Sequence, residues 1–273
     1  MTRPRDIDFT YVAATVDSKS AQVRQGPERE KRCCTCTGPA ACRDPRKCEC
    51  LRQGRQYSSK GRLLDEDHPA QIYECNLNCA CHADDCRNRL VQRGITCNIK
   101  VLYLGLTKCR VLEGCGRWGV RAVEEIPARS FVCTVAGQLV LAGDLAGGVG
   151  DQGQHSSVLV HRVRDWTERD QGQTHYSSSG GGGSGGGSRR GDGGGSSSRV
   201  HPHPPLAGGL QERFVDQRRY ANISRYIRCA KRPEDVNLVR VAVHTVNQDP
   251  DAPVLALFAA RTIEEGTELL RDR

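Results

Sequence analysis

Short apolar runs of strand length, separated by turn residues, dominate the second half of the chain. β-Branched residues in runs of about four to eight positions favour strands over helices. Shorter strand-like segments are predicted at 9–14 and at the end of 263–270. No long amphipathic helical pattern is found, so the sequence predicts a mainly β domain of short strands. The predicted strand runs are 99–106, 119–123, 130–135, 138–142, 156–163, 237–246 and 253–260.

Two other segments differ from these runs in amino-acid composition. Residues 177–198 are nearly all Gly and Ser, and three prolines follow within 201–206. We expect a flexible insertion at about 171–206, because this composition cannot offset the entropy of ordering. Residues 33–88 hold little apolar sequence and cannot fold on hydrophobic burial alone. The predicted organisation is an arm (1–32), a cysteine-rich region (33–96) and a β domain (97–273) that contains the insertion.

The number of cysteines changes this picture, since the chain has 15 in 273 residues. We find no apolar run long enough for a secretory signal or a membrane span, which predicts an intracellular protein without membrane association. Thiols stay reduced there, so metal binding is favoured over disulfides. The net charge of +8 fits an acidic or nucleic-acid partner, but a basic surface without a binding role fits equally.

Nine of these cysteines fall into two groups with unusual spacing. The first group reads C-x-C-x5-C-x5-C-x-C and the second reads C-x3-C-x-C-x4-C. A single zinc site commonly uses C-x2-C pairs, whereas C-x-C pairs suit adjacent metals. Six terminal and three bridging thiolates fill the coordination of three zinc ions, which predicts a structural cluster; a disulfide framework is the alternative. The predicted ligands are Cys34, Cys36, Cys42, Cys48, Cys50, Cys75, Cys79, Cys81 and Cys86.

The remaining candidates point to chemistry only weakly. Cys33, Cys97, Cys109, Cys115 and Cys133 are expected to be small core or surface residues. The pairs His201/His203, Asp84/Asp85 and Glu124/Glu125 are expected to be solvated surface. The arginines between residues 43 and 62 suggest nucleic-acid contact, but only one aromatic residue, Tyr57, lies among them, which gives little support for base stacking.

Several motifs now support a family resemblance. The two cysteine groups resemble the pre-SET region of SET-domain lysine methyltransferases of the kind that modify histone H3 lysine 9. The runs that follow resemble the SET domain itself, where the family has G-W-G-V-R-A and later R-F-I-N-H-S-C. The matching runs are G-R-L-L at 61–64, C-R-N-R-L-V-Q at 86–92, R-W-G-V-R-A at 117–122, I-P at 126–127, F-V-C at 131–133, V-D at 215–216, R-R-Y-A-N-I-S-R-Y-I at 218–227, N-L-V at 237–239 and L-F-A-A-R-T-I at 257–263.

This resemblance implies a SET-type fold of short β-strands preceded by a triangular cluster of three zinc ions. It also implies transfer of a methyl group from S-adenosylmethionine to a lysine amine, in which alignment supplies much of the rate. The implied partners are the histone H3 tail or another lysine-bearing protein, and chromatin, which implies a place in the nucleus on the chromosome. The implied cofactor-binding positions are Gly116, Arg117, Trp118, Arg228 and Cys229.

The sequence departs from the family pattern at positions that carry the chemistry. Arg228 and Cys229 stand at the family's Asn-His pair, and Cys229 is an alternative counterpart of the family's next cysteine, a ligand of a fourth zinc. Gly116 offers a one-residue shift that would restore the family's first glycine. No catalytic residue is intact. The other departures are Arg117 for that glycine, Val135-Ala136-Gly137-Gln138 for Tyr-Val-Gly-Glu, Val158 for an aromatic and Arg273 for the catalytic tyrosine.

Three interpretations follow from these departures. The chain is an active lysine methyltransferase with a rebuilt site, a catalytically inactive relative that serves as a zinc-stabilised binding scaffold, or a truncated chain. The family's post-SET cysteines do not follow Arg273 in this sequence. Binding of S-adenosylmethionine distinguishes an intact cofactor site from a lost one.

Overall fold

The computed structural model describes residues 9–17, 33–38, 41–52, 54–64, 72–104, 118–145, 159–163, 213–245 and 253–272. Short strands and 3-10 turns make up the regular structure of these residues, and no α-helix occurs within them. The strands are β1 Thr10–Tyr11, β2 Val16–Asp17, β3 Ile72–Tyr73, β4 Ile99–Tyr103, β5 Trp118–Ala122, β6 Phe131–Val135, β7 Gln138–Leu141, β8 Val160–Arg162, β9 Arg213–Asp216, β10 Tyr220–Ala221, β11 Arg228–Cys229, β12 Leu238–His244, β13 Val254–Ala259 and β14 Leu270–Arg271. The 3-10 turns are η1 Glu49–Leu51, η2 Val91–Arg93, η3 Ala142–Asp144, η4 Ile223–Tyr226 and η5 Pro233–Asp235.

The mainly β prediction is confirmed. Each predicted apolar run overlaps a strand; most strands are shorter than the runs, and β5 begins one residue before its run. The segment between the two cysteine groups, for which no strand run was predicted, contains β3. Ile72 is fully buried there and pairs with Val243, so tertiary pairing creates a strand where the local pattern gave no signal. The predicted insertion lies outside the described residues.

The central sheet has the strand order β11-β14-β12-β13-β6, with β3 added beside β12. Strands β12 and β13 are antiparallel from Leu238↔Ala259 to Val243↔Val254. Alternate side chains of β13 enter two different cores: Leu255 and Leu257 enter one, and Ala256 and Phe258 enter the other. The period of two along a strand explains this division. A strand buried on both faces reads as the continuous apolar run seen in the sequence.

A second sheet has the order β2-β7-β9-β8, and β4 and β5 form a separate antiparallel pair. The N-terminal arm contributes two of the edge strands, since β1 pairs with β10 and β2 pairs with β7. The arm is therefore part of the fold at residues 9–17. No helix in the described part of the chain is long and apolar enough to cross a membrane.

The turn between β6 and β7 depends on Gly137. A Cβ atom added there would lie 2.6 Å from the Asp216 backbone oxygen, which a side-chain rotation cannot relieve. We expect Gly137→Ala to lower the free energy of unfolding by about 1–3 kcal/mol, the usual range for overpacking. Gly143→Ala is the matched control, because no atom lies within 4 Å of its added Cβ. Urea denaturation at fixed zinc concentration measures both, and equal midpoints for the two variants would contradict the close approach.

The cysteine-rich region is joined to the β domain by pairing and by packing. β3 runs parallel to β12 with Ile72 beside Val243, and the Tyr73 ring stacks on His244 at a centroid distance of 4.4 Å. Leu63 joins Phe131 and Phe258 in one buried core. The two regions therefore share a hydrophobic core and are not independent domains joined by a linker.

A buried carboxylate, Glu74, fixes the connection between β3 and η2. It accepts hydrogen bonds from the backbone N–H groups of Leu90 and Val91, both at 2.7 Å, and from the Tyr57 hydroxyl at 2.9 Å. Burial raises the pKa of Glu74, and hydrogen bonds from Val91 and Gln92 oppose that rise. The carboxylate thus caps a turn and anchors the start of the second cysteine group.

Candidate functional site

The structure brings all nine predicted ligand thiols into one cluster. Eight of them are buried, and Cys36 is half-buried. The sulfur atoms form four overlapping sets of four, and within each set all Sγ atoms lie within 4.8 Å of one another. Cys34 and Cys75 each belong to three sets, so they hold the centre of the cluster. The sets are Cys34/Cys36/Cys42/Cys48, Cys34/Cys48/Cys50/Cys75, Cys34/Cys75/Cys79/Cys81 and Cys42/Cys75/Cys81/Cys86.

The sulfur–sulfur distances suit tetrahedral metal coordination. The Sγ of Cys42 lies 3.5 Å from those of Cys34 and Cys75, and the Cys34 and Cys75 sulfurs are 3.9 Å apart. A disulfide would need about 2.05 Å. Tetrahedral zinc with Zn–S bonds of about 2.3 Å places its ligand sulfurs about 3.8 Å apart. The donor set therefore fits zinc and does not fit a disulfide framework.

Protons are distributed unevenly over this crowded set of thiols. Hydrogen bonds with Cys48 raise the pKa of Cys42 and of Cys50, and the bonds with Cys42 and Cys50 lower the pKa of Cys48. Nine thiolates cannot coexist at these distances without cations between them. Metal binding is thus coupled to loss of the remaining protons.

Nitrogen donors surround the cluster. The Cys34 backbone N–H donates to the Cys79 sulfur at 3.4 Å, and the Asn88 side-chain amide donates to Cys75 at 3.6 Å. The buried Arg89 guanidinium lies 3.8 Å from the Cys81 sulfur. Such donors stabilise thiolates and orient them, as outer ligands do in metal sites.

The cysteines outside the two groups have ordinary surroundings where they are described. Cys133 is fully buried in β6, and burial raises the pKa of its thiol. Cys97 is half-buried and Cys33 is exposed. Cys229 lies in β11 opposite Arg271, apart from the thiol sets. Cys109 and Cys115 lie outside the described residues.

A second candidate site forms where β5, β11 and the start of β14 meet. Arg228 and Glu268 form a bidentate ion pair with two nitrogen–oxygen distances of 2.7 Å. Both side chains are about four-fifths buried, at 20% and 19% exposure. Glu268 also lies against Gly119, where an added Cβ would be 2.7 Å from its Oε1 atom. Glycine at this position therefore leaves room for the ion pair next to Trp118.

Aromatic rings form a row beside this ion pair. The Trp118 ring lies 5.3 Å from Tyr103 and 6.3 Å from Tyr226, and Tyr226 lies 6.0 Å from Phe9 of the arm. Trp118 Nε1 is buried and has no hydrogen-bond partner among the described residues. A ligand that enters here would meet flat apolar surfaces and one indole donor.

The strand β14 completes the second site. It lies between β11 and β12 in the sheet, although these two strands are consecutive along the chain and are joined by residues 230–237. Asn237 fixes this arrangement: its side chain donates to the Glu268 backbone oxygen and accepts from Leu270 N–H, both at 2.8 Å. The same strand therefore positions Glu268 against Arg228.

A buried polar network supports the segment that leads into the site. Asn222 caps η4 by accepting from Ser224 N–H, and it donates to the Thr134 oxygen at 2.8 Å. Gln217 donates to Ser224 at 2.8 Å and meets His161 at 3.1 Å. Burial and the nearby Arg271 and Arg240 hold the pKa of His161 well below its usual value, so its ring is neutral. Sequence reasoning missed Gln217 and Glu268, since neither stands in a distinctive spacing.

The predicted cofactor positions are brought together where they are described. Trp118 lies in β5, and Arg228 and Cys229 lie in β11 of a different sheet; Glu268, which pairs with Arg228 and lies against Gly119, connects the two strands. Gly116, Arg117, Val158 and Arg273 lie outside the described residues. Val135, at the start of the run Val135-Ala136-Gly137-Gln138, is buried in the core and supplies no hydroxyl.

Comparison with known proteins identifies the class. A family model for the Pre-SET motif matches residues 2–89, and a model for the SET domain matches residues 117–272. The chain belongs to the SET-domain family and carries a pre-SET region, which confirms the resemblance seen in the sequence. It is 27% identical over 232 residues to human "Histone-lysine N-methyltransferase SETMAR", covering 84% of this chain and 26% of that protein.

Solved structures show the same fold. The Neurospora SET domain protein DIM-5, a histone lysine methyltransferase, is 23% identical with a TM-score of 0.64, covering 97% of this chain and 89% of that one. KRYPTONITE, in complex with mCHH DNA, an H3(1-15) peptide and SAH, is 21% identical with a TM-score of 0.62, covering 98% and 42%. The chain spans about a quarter of human SETMAR and 12% of human EHMT1.

Proposed function

We propose that this chain is the pre-SET and SET portion of a histone-lysine N-methyltransferase of the H3 lysine 9 type, acting on chromatin in the nucleus. The observation that carries the proposal is a nine-thiol cluster packed onto a SET fold through a shared core. The relatives named as histone methyltransferases, and the H3 peptide bound in the KRYPTONITE complex, support the substrate class. The lysine 9 assignment rests on the type of pre-SET region.

In this proposal the cluster holds three zinc ions through Cys34, Cys36, Cys42, Cys48, Cys50, Cys75, Cys79, Cys81 and Cys86. The four overlapping sulfur sets support shared, bridging ligands, because the sets have sulfur atoms in common. Three zinc ions and nine thiolates carry a net charge of about −3, which the buried Arg89 partly offsets. The domain division at residues 33–96 and 97–273 is part of the same proposal.

S-adenosylmethionine would supply the methyl group in such a protein. The aromatic row fits a flat group such as the cofactor's adenine. Trp118 Nε1–H could donate a hydrogen bond to it, because no described residue accepts from this N–H. The polar residues of this site fit the cofactor poorly. Arg228 is held by Glu268, and Cys229 offers neither an amide nor an imidazole. No catalytic role is therefore assigned to Arg228 or Cys229. The substrate amine must be neutral before it attacks, since an unperturbed lysine has a pKa of about 10.4.

A second candidate function is favoured by this ion pair. Arg228 stands where the family has the first residue of its Asn-His pair, and it is held there in an ion pair with Glu268 that is about four-fifths buried. The chain would then be a catalytically inactive SET relative, and the zinc-stabilised scaffold would bind chromatin or another protein. The two functions differ in whether S-adenosylmethionine binds.

The experiment uses the full chain purified with zinc. We expect elemental analysis to give about three zinc ions per chain, and calorimetry to give micromolar binding of S-adenosylmethionine if the site is active. An isotope-labelled methyl group should then enter an H3 tail peptide and not the same peptide with lysine 9 replaced by arginine. Three zincs without cofactor binding at millimolar concentration would support the inactive scaffold. One zinc or none would contradict the cluster itself.

A further inference from the structure

A cavity of about 460 Å³ opens beside the thiol cluster and has no part in the functions proposed above. Its lining contains Arg43, Arg55, Arg87, Ser58 and Ser59, and no acidic side chain. The buried Tyr57, hydrogen-bonded to Glu74, also lines the cavity. The cavity is therefore rigid at its base and positively charged at its exposed rim.

The arginines at this rim differ from a group of others in the fold that are ion-paired. Arg52, Arg218, Arg228 and Arg232 all form ion pairs with carboxylates. No carboxylate within the described residues lies in ion-pair distance of the three rim arginines. One of them is held in place, because the Arg87 guanidinium donates to the Ser59 backbone oxygen at 2.7 Å. The rim thus presents three guanidinium groups whose charge is not neutralised by a described neighbour.

The segment that supplies the rim is basic as a whole. Residues 41–62 contain seven Lys or Arg and two Asp or Glu. Arg89 already provides a cation for the cluster from its buried side, so the exposed rim is not needed for that purpose. Guanidinium groups bind phosphate through paired N–H donors, and serine hydroxyls add further donors. Few aromatic side chains interleave with these charges, which favours contact with a backbone over stacking on bases.

We propose that this cavity binds a backbone phosphate of double-stranded DNA, independently of base sequence. A polyanion fits better than a small anion, because the charge continues along the segment beyond the cavity. Binding of this kind releases counterions and weakens steeply with salt. The site lies in the pre-SET region, so the chain can hold DNA whether or not its SET site binds a cofactor.

The test measures binding of the zinc-loaded full chain to a fluorescent 15-base-pair duplex by anisotropy, over a series of salt concentrations. We expect Arg43→Gln with Arg55→Gln to weaken binding at least about tenfold near 0.1 M salt and to reduce the slope of log K against log salt by about 0.9, the value for one lost phosphate contact. Arg46→Gln with Lys60→Gln is the matched control, since both side chains are exposed and the variant removes equal charge from the same segment outside the cavity lining. Its loss of affinity should be clearly smaller.

Each alternative result overturns the proposal in a different way. An equal loss in both double variants would mean a diffuse basic surface and no site. The cavity would be a small-anion site if inorganic phosphate raised the melting temperature of the protein while the Arg43→Gln/Arg55→Gln variant bound DNA as well as the wild type. If the Arg43→Gln/Arg55→Gln variant lost affinity for polyglutamate as much as for DNA, the cavity would fit an acidic protein partner. Zinc content must stay unchanged in both variants, which separates lost binding from lost folding, and peptide methylation is measured separately.

Discussion

Cys34→Ser should remove zinc and unfold the pre-SET region. Cys34 belongs to three of the four sulfur sets, so one substitution disturbs most of the cluster. Structural zinc contributes roughly 10–16 kcal/mol of apparent binding free energy in small domains, and we expect a loss of at least about 4 kcal/mol in the free energy of unfolding. The shared core with Phe131 and Phe258 should transmit the damage to the SET fold. Elemental analysis and thermal melting followed by circular dichroism measure the two effects.

Its neighbour Cys33 provides a matched control. Cys33 is exposed and belongs to no sulfur set, so Cys33→Ser makes the same chemical change one residue away. We expect wild-type zinc content and an unchanged melting temperature. If the two variants melted alike and kept all their zinc, the cluster would be only a group of buried thiols.

The double variant Arg228→Asn with Cys229→His should gain S-adenosylmethionine binding over the wild-type chain. It replaces the guanidinium held by Glu268 with an amide and an imidazole, the pair found at this place in the family. If both groups contact the cofactor, a gain of at least a hundredfold in affinity follows, which corresponds to about 2.7 kcal/mol. Calorimetry with the zinc-loaded chain gives the affinity directly.

Glu268→Gln distinguishes two reasons why the cofactor would not bind: occlusion by the ion pair, and the missing amide and imidazole. The substitution breaks the ion pair but restores neither the amide nor the imidazole, so we expect no gain in binding. A gain equal to that of the double variant would show that the ion pair acts by occlusion alone. If neither variant bound the cofactor while both stayed folded, the defect would lie elsewhere in the pocket.

Much of the fold could be predicted from local patterns. The apolar runs around β12 and β13 are strongly patterned because both faces of these strands are buried. The nine clustered cysteines could be grouped from their spacing, since C-x-C pairs suit thiolates that lie next to adjacent metal ions. The short strand β3 could not be found, because its two residues form a strand only against β12.

The polar parts of the sites were harder to predict. Glu74 and Glu268 are single acidic residues whose roles depend on partners 16 and 40 positions away in sequence. Asn222 stood in a recognised motif, but its hydrogen bonds to Thr134 and Ala136 depend on tertiary packing. Such residues carry no periodic signal, so only the assembled fold identifies them.

The position of β14 between β11 and β12 also sets an order of folding. β11 and β12 cannot close against each other, because the strand that fills the space between them comes some thirty residues after the start of β12. A nascent chain that has not yet reached residue 270 therefore exposes the unpaired edges of β11 and β12. Open edges promote association with other chains, and pairings between distant segments form slowly. The second site consequently cannot form until β14 has paired between β11 and β12.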